Sequence, residues 1–335
     1  MRFVICGAGA IGGVLGGQLA KAGFAVLFIE PMQEHATAIC THGLQLKGIH
    51  GQHTVSIPVV QHASQVEFHP EDVIILAVKS GRCADAVAAL RRATPLEVPV
   101  FCAQNGVTNE DVVARAFRQV NGLMVLIGAK CLAPGEVIQT GNGPLGIGTH
   151  PAGLSPVAGA VAAALDQTDL PVYTTHAIGR AKWYKLLLNL NTATLGLTGL
   201  ATQEAAADAA ARAWMADVWE EGVCVSQAAG RAYAGPAGLP TIEEHLQTLR
   251  LGAAPAEVPS AEDEKGRSSL WQDLYHRRGA VEADYLNGEI VRLGQHYGVP
   301  TPYNHLLLTL SNAAAQARAL PGQYTIAQLR ALLPG

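Results

Sequence analysis

Several polar side chains in this 335-residue chain stand where their type and spacing permit chemistry. Lys185 and Asn189 are four residues apart in Lys182-Trp183-Tyr184-Lys185-Leu186-Leu187-Leu188-Asn189, so on a helix they share one face. Leu186 and Leu190 lie near that face, and an ammonium and an amide therefore project from a largely apolar surface. A lysine so placed either snorkels to water or lines a cleft. In a cleft, burial lowers its pKa from ~10.4 towards neutrality, and it can protonate a carbonyl oxygen as hydride reaches the carbon. A second constellation is Ser268-Ser269-Leu270-Trp271-Gln272-Asp273 followed by Val281-Glu282-Ala283-Asp284-Tyr285-Leu286-Asn287-Gly288. Ser268 or Ser269 suits a helix cap, and Glu282 suits a first helical turn. Asn287-Gly288 within a helical pattern is costly, because both are poor helix formers, and such a violation marks close packing or a site.

The amino-terminal stretch supplies a binding element. Phe3 to Cys6 form an apolar, strand-like run that ends at Gly7, and Gly7, Gly9 and Gly12 give G-x-G-x-x-G. A small-residue helix from Ala10 to Lys21 follows, then a second apolar run from Ala25 to Ile29, closed by Glu30. Gly7 permits a tight strand-to-helix turn, Gly9 lets backbone approach a pyrophosphate, and Gly12 lets the helix lie close on the strand. The helix N-terminus offers N–H groups and a positive dipole end. The acid stands 21 residues past Gly9, the separation expected of a dinucleotide-binding βαβ unit. The residues expected to hold the cofactor are thus Gly7, Ala8, Gly9, Ala10, Ile11, Gly12 and Glu30. A carboxylate at the end of the second strand accepts from the ribose hydroxyls and favours NAD. It repels a 2′-phosphate by roughly 4 kcal/mol at ~4 Å and an effective dielectric of ~20. The alternative is that Glu30 turns to solvent and a cation elsewhere meets a phosphate.

These groups need a scaffold. Asp72 to Val78 is the strongest buried strand pattern and ends at Lys79-Ser80; a helix over Ala84 to Arg92 and a strand over Val98 to Ala103 follow, ending at Gln104-Asn105-Gly106. That alternation predicts an α/β unit with a doubly wound, Rossmann-type parallel sheet. Ligands bind outside the carboxyl ends of such strands. Lys79 therefore either meets a phosphate or ribose or is a strand-end lysine in solvent. Asn105 either contacts nicotinamide and substrate or simply forms an Asn-Gly turn. Pro31 starts a helix to about Cys40, and His42 to Val60 alternates as a hairpin laid against a sheet edge. Gly122 to Gly148 reads as short meander strands extending the sheet, with Pro134-Gly135 and Gly141-Asn142-Gly143-Pro144 as turns. Ser155 caps a helix to Asp166, and Leu170 to Tyr173 is a last strand. The nucleotide domain is expected over 1–175 and an all-helical domain over 176–335. Its helices are Arg180–Leu190, Glu204–Gln227, Thr241–Leu251, Ser268–His276, Ala280–Tyr297 and Tyr303–Leu320, with a loop from Leu251 to Pro259.

Composition narrows the class. A net charge of −4 gives no sign of a nucleic-acid or membrane-surface partner. Six cysteines without C-x-x-C or other metal-ligand spacing read as reduced thiols of a cytoplasmic protein, with no metal site. No signal peptide and no stretch of ~18 apolar residues stands in the sequence.

Taken in order, Gly7-Ala8-Gly9-Ala10-Ile11-Gly12, Val78-Lys79, Gln104-Asn105-Gly106-Val107, Lys185 to Asn189, Ser268 to Asp273 and Glu282 to Gly288 span nearly the whole chain. In these motifs the sequence resembles the ketopantoate reductase family (2-dehydropantoate 2-reductases). The resemblance implies a Rossmann domain plus a helical domain with the active site between them. It also implies reduction of a 2-keto acid, 2-dehydropantoate to pantoate, by NADPH or NADH. Carried over by position, Lys185 is the general acid, and Asn105 contacts nicotinamide and substrate. Asn189, Ser269 and Glu282 hold the substrate's hydroxyl and carboxylate ends, with Glu282 and Asn105 counted with Lys185 in the catalytic set. Lys79 lies near the cofactor. The sequence departs from the family pattern at three places. Glu30-Pro31 stands where most members place an arginine for the NADP phosphate, Ala193 where many have a second asparagine, and the interval from Asp273 to Glu282 is one residue longer. The expected partner is a small 2-keto acid, and a homodimer is a form that such helical domains often take. Two other readings remain: a dinucleotide-binding redox sensor without turnover, which needs only the glycine turn and Glu30, and a 3-hydroxyacid dehydrogenase of similar layout.

Overall fold

A computed structural model describes residues 1–94, 97–252 and 266–334. The chain forms two compact units, Met1–Lys182 and Trp183–Gly335.

In the first unit, β1 (Arg2–Cys6) runs into α1 (Ala10–Lys21), and β2 (Ala25–Ile29) returns parallel to β1 with Phe3 opposite Val26. Then come α2 (Gln33–His42), the antiparallel pair β3 (Leu44–Gly48) and β4 (His53–Val55), and the short β5 (Val59–Val60). β6 (Asp72–Leu76), α3 (Cys83–Ala93), β7 (Val100–Cys102) and α4 (Asn109–Ala114) follow. β8 (Val120–Lys130), β9 (Glu136–Thr149), α5 (Pro156–Leu165) and β10 (Val172–Thr174) complete the sheet. Its strand order is β4-β3-β9-β8-β7-β6-β1-β2-β5, with β10 paired to β9.

The alternation of β1 shows why the strands read as continuous apolar runs. Phe3 and Ile5 enter one core layer with Phe28, Ile75 and Phe101, while Val4 and Cys6 enter another with Ile74, Leu76 and Cys102. Helices cover both faces, so neither set can be polar. The expected doubly wound α/β sheet is present. Helix α1 carries glycines on its packed side: a Cβ on Gly16 would lie 2.4 Å from the Phe28 ring, and one on Gly13 2.5 Å from Val137.

The meander expected over 122–148 is instead one long antiparallel ladder of β8 and β9. Gly141-Asn142-Gly143-Pro144 lies inside β9, where the register shifts between Val125 and Ile127 and between Gly128 and Ala129. A Cβ on Gly143 would stand 2.4 Å from the Leu126 carbonyl oxygen, so the glycine serves a bulge and not a turn. Helix α2 begins at Gln33, two residues beyond Pro31, and α4 fell in a stretch to which the sequence assigned no element.

Helix α6 (Ile178–Asn189) crosses the division between the units, which falls after the expected boundary at residue 175. The rest is helical among the described residues: α7 (Thr192–Thr198), α8 (Thr202–Ala207), α9 (Ala209–Ala228), α10 (Ile242–Leu251), α11 (Ser269–Tyr275), α12 (Asn287–Tyr297), α13 (Pro302–Gln316) and α14 (Ile326–Ala331). Helix α9 is central. Its Trp214 is fully buried, donates to Thr194 Oγ1 at 3.1 Å and meets Tyr303 edge-on.

Two expected helices are broken. The run from Glu204 to Gln227 divides at Asp208, whose side chain accepts from Ala211 N–H at 2.8 Å and so caps α9. The run from Ala280 to Tyr297 divides into a 3-10 turn over Ala283–Tyr285 and α12, which begins at Asn287. Asn287-Gly288 therefore occupies a helix start, where its poor propensity costs little. Most of the loop expected to Pro259 lies outside the described residues. None of the described helices is long and apolar enough to cross a membrane.

Candidate active site

The first group of site residues gathers at the carboxyl edge of four neighbouring parallel strands. In the order β7, β6, β1, β2, the chain just beyond these strands carries Asn105, Lys79, the glycine turn and Glu30. The backbone ladder continues past the strand ends: Ala77 N–H donates to Cys6 O at 2.9 Å and Ala103 N–H to Leu76 O at 2.9 Å. Lys79 is exposed, just ahead of a 3-10 turn at Ser80–Arg82. Asn105 is half-buried, and its carbonyl accepts from Ser80 Oγ at 2.9 Å and from Asn109 Nδ2 at 2.7 Å. Those two bonds fix the peptide that carries its amide.

The glycine turn fits a pyrophosphate. Gly7 has φ +94, which only glycine adopts without strain. A Cβ on Gly12 would stand 1.9 Å from the Gly7 carbonyl oxygen, whereas a Cβ on Gly9 would point into open space. The N-terminus of α1 has no side-chain cap and no acid in its first turn, so its N–H groups and dipole are available to an anion.

Glu30 does not turn to solvent: it is 5% exposed. Its Oε2 accepts from Ala8 N–H at 2.8 Å and its Oε1 from Met32 N–H at 2.9 Å. The carboxylate is thus a fixed negative charge at the end of β2 with further lone pairs to offer. Burial, with the Glu30 charge beside it, pushes the Cys6 thiol up to about 12, which leaves it unreactive.

A buried ion pair, unforeseen in the sequence, lies under this edge. Lys182 Nζ stands 2.7 Å from Glu110 Oε1 and donates to the carbonyls of Cys102 and Gln104 at 2.9 Å each. The second turn of α6 is thereby tied to the end of β7. Glu110 sits on α4, the helix that the sequence pattern did not reveal.

The second group lies in the helical unit. Lys185 is half-buried on α6. Burial lowers its pKa from 10.5 to about 8, against the opposing pull of the Glu282 carboxylate. Asn189, one turn on, is buried and is the last residue of α6. Ser268 Oγ accepts from Trp271 N–H at 3.1 Å, so Ser268 is the cap of α11 and Ser269 its first helical residue. Glu282 precedes the 3-10 turn. Ser269 and Glu282 line one small cavity together with Thr192, Ala193, Asn287 and Ser311. Asn287 donates one amide hydrogen to Leu190 O at 3.1 Å and the other to Asn304 Oδ1 at 2.9 Å. Its Oδ1 and the Ser311 hydroxyl are buried without a hydrogen-bond partner.

The structure thus places Gly7 to Gly12, Glu30, Lys79 and Asn105 at neighbouring strand ends of the first unit, and in the second it places Lys185 and Asn189 one turn apart on α6 and Ser269 and Glu282 on one cavity. Among the described residues, no group of three His, Cys, Asp or Glu is placed to hold a metal ion.

Residues 3–152 match the model of "Ketopantoate reductase PanE/ApbA", and residues 177–315 match "Ketopantoate reductase PanE/ApbA C terminal". A 2-dehydropantoate 2-reductase from Pyrococcus abyssi is 28% identical over 308 residues, 92% of this chain and 95% of that protein. A PanE/ApbA family ketopantoate reductase from Ralstonia eutropha JMP134 superposes with a TM-score of 0.79 at 29% identity, over 95% of this chain and 99% of that one. D-mandelate dehydrogenase, solved with NADH and anilino(oxo)acetate, shares the fold with a TM-score of 0.81 at 24% identity, over 95% and 99% of the respective chains. The chain belongs to the ketopantoate reductase family of NAD(P)H-dependent oxidoreductases.

Proposed function

We propose that this protein reduces 2-dehydropantoate, or a closely similar 2-keto acid, to the 2-hydroxy acid, with NADH preferred. The observation that carries the reading is Lys185, an ammonium brought down to about 8 by burial yet kept charged near neutrality beside Glu282. A reduced nicotinamide, when bound, supplies hydride to the keto carbon. Lys185 Nζ then gives its proton to the keto oxygen, so the carbonyl becomes a hydroxyl and the ammonium becomes an amine that water reprotonates. Asn105 orients the carbonyl and the nicotinamide amide. Asn189, Ser269 and Glu282 take the substrate's hydroxyl and carboxylate ends, and the Glu282 charge keeps Lys185 protonated. Lys79 approaches the cofactor at the end of β6. Preference for NADH is supported by Glu30, whose fixed charge accepts from ribose hydroxyls and repels a 2′-phosphate.

The test follows nicotinamide absorbance in mixtures of the protein with NADH or NADPH and a panel of 2-keto acids including 2-dehydropantoate. Turnover of 2-dehydropantoate with the highest kcat/KM supports the assignment. Turnover of another 2-keto acid alone changes the substrate but keeps the chemistry, and dinucleotide binding without any turnover rejects the enzyme.

A further inference from the structure

The two successive peptides that flank Ala8 at the opening of the glycine turn are each held by a side chain. The N–H of Ala8 donates to Glu30 Oε2 at 2.8 Å, and the carbonyl of Ala8 faces His35 Nε2 at 2.9 Å. His35, on the first turn of α2, is 4% exposed. Its other ring nitrogen, Nδ1, accepts from Gly135 N–H at 2.9 Å. An amide N–H can only donate and a carbonyl can only accept. The two partners therefore fix the ring as the neutral Nε2–H tautomer. The Gly135 peptide is itself anchored, because its carbonyl accepts from Gln45 N–H at 2.8 Å. Gly135 has φ +78, and a Cβ there would stand 2.8 Å from the Ala38 side chain, so glycine is what lets the β8–β9 connection come within reach of α2.

These contacts run from the β8–β9 connection, through His35, to the Ala8–Gly9 peptide and, across Ala8, to the Gly7–Ala8 peptide that Glu30 holds. Because Glu30 occupies the Ala8 N–H, a pyrophosphate must be met by the N–H groups that follow, at the start of α1. Their direction depends on the two peptides that flank Ala8: Glu30 holds the Gly7–Ala8 peptide through its N–H, and His35 holds the Ala8–Gly9 peptide, which carries the Gly9 N–H, through its carbonyl. We infer that His35 is a positioning residue for dinucleotide binding: it aims the phosphate-binding turn through the Ala8 carbonyl and makes that aim depend on the β8–β9 connection. The inference rests on the glycine turn holding a nicotinamide dinucleotide. Hydrogen bonds polarise one another along such a chain in a dry interior, so losing the middle member weakens both ends.

The experiment measures NADH and NADPH affinity by fluorescence titration of the wild type, His35→Ala and His35→Gln, with kcat and KM alongside. Glutamine can donate from Nε2 to Ala8 and accept at Oε1 from Gly135 without any titration. Loss of about tenfold in dinucleotide affinity is expected for His35→Ala, with KM for the dinucleotide raised in step and kcat changed less than twofold. His35→Gln is expected within about threefold of wild type. Equal affinity in His35→Ala and wild type overturns the role, as does His35→Gln binding as weakly as His35→Ala, which would mean that the ring only fills space. Should the alanine variant fail to fold, long-range proton–nitrogen NMR spectra of the wild-type histidine rings decide the matter. A neutral Nε2–H pattern for His35 that shifts when NADH is added supports the inference, and a pattern unmoved by saturating NADH overturns it. A wild type that binds neither dinucleotide rejects the cofactor reading itself, a result distinct from each of these.

Discussion

Lys182 and Glu110 form an ion pair at 2.7 Å with each side chain 5% exposed. Lys182 also donates hydrogen bonds to two backbone carbonyls. Removing one partner leaves a buried charge without its counterpart, which costs about 3–5 kcal/mol. Urea unfolding of Glu110→Gln and of Lys182→Met should show losses in that range. The double variant Glu110→Leu/Lys182→Met should recover at least half, because an apolar pair has no charge to desolvate. A loss below about 1 kcal/mol in either single variant would contradict the burial described.

Lys185 carries a prediction in pH. A general acid must be protonated, so kcat should be level below about pH 8 and fall tenfold per unit above it. Lys185→Ala should lower kcat by about 10²- to 10⁴-fold while dinucleotide affinity survives. Undiminished turnover in that variant would remove the mechanism. Stability should move the other way. The folded-state value lies below the ordinary 10.5, so between about pH 8 and 10.5 the folded protein binds fewer protons than the unfolded chain. The penalty of burying the ammonium is full below pH 8 and is relieved as pH rises through that window. Lys185→Met should therefore be more stable than wild type at pH 7, with the gap closing towards pH 10.5.

Glu30 should govern the choice of dinucleotide. Glu30→Ala should raise kcat/KM for NADPH relative to NADH, since the repelling charge is gone. It should also weaken both dinucleotides, because the Ala8 N–H loses its acceptor. An unchanged NADPH-to-NADH ratio would refute the cofactor preference.

Asn287 offers a test of the helical unit. Asn287→Asp keeps the shape but places a carboxylate oxygen against both the Leu190 carbonyl and Asn304 Oδ1, where the two N–H bonds of Nδ2 pointed. A stability loss of about 3 kcal/mol at pH 7 is expected, measured by chemical denaturation and reduced on acidification, which restores a donor. Equal stability at pH 7 would mean that these bonds contribute nothing.

Strand-end polar groups were legible because strand periodicity and punctuation are local properties. Val78-Lys79 and Gln104-Asn105 announce themselves by ending apolar runs. The helical pair Lys185 and Asn189 was legible through its spacing of four. The misreadings share a different cause. Gly141 to Pro144 has the composition of a turn, yet its pairing with β8 is a tertiary fact that no local signal records. Asp208 is unremarkable in a helical run until its carboxylate is seen capping the next helix. His35 looked like one of many polar residues on α2, since its partners are 27 residues upstream and 100 downstream. Glu110 and Lys182 were hidden for the same reason, being 72 residues apart in sequence.

The strand order also dictates a schedule of synthesis. β3 finds its parallel neighbour in β9, with Gln45 opposite Glu136, whereas β5 completes the far edge beside β2. As the chain leaves the ribosome, β3 must wait through some ninety residues of translation with only the three-residue β4 as a strand partner. During that interval an apolar ribbon edge is uncovered and open to pairing with another nascent chain. Chaperone demand should accordingly peak late in the making of the nucleotide unit and subside once β9 has emerged.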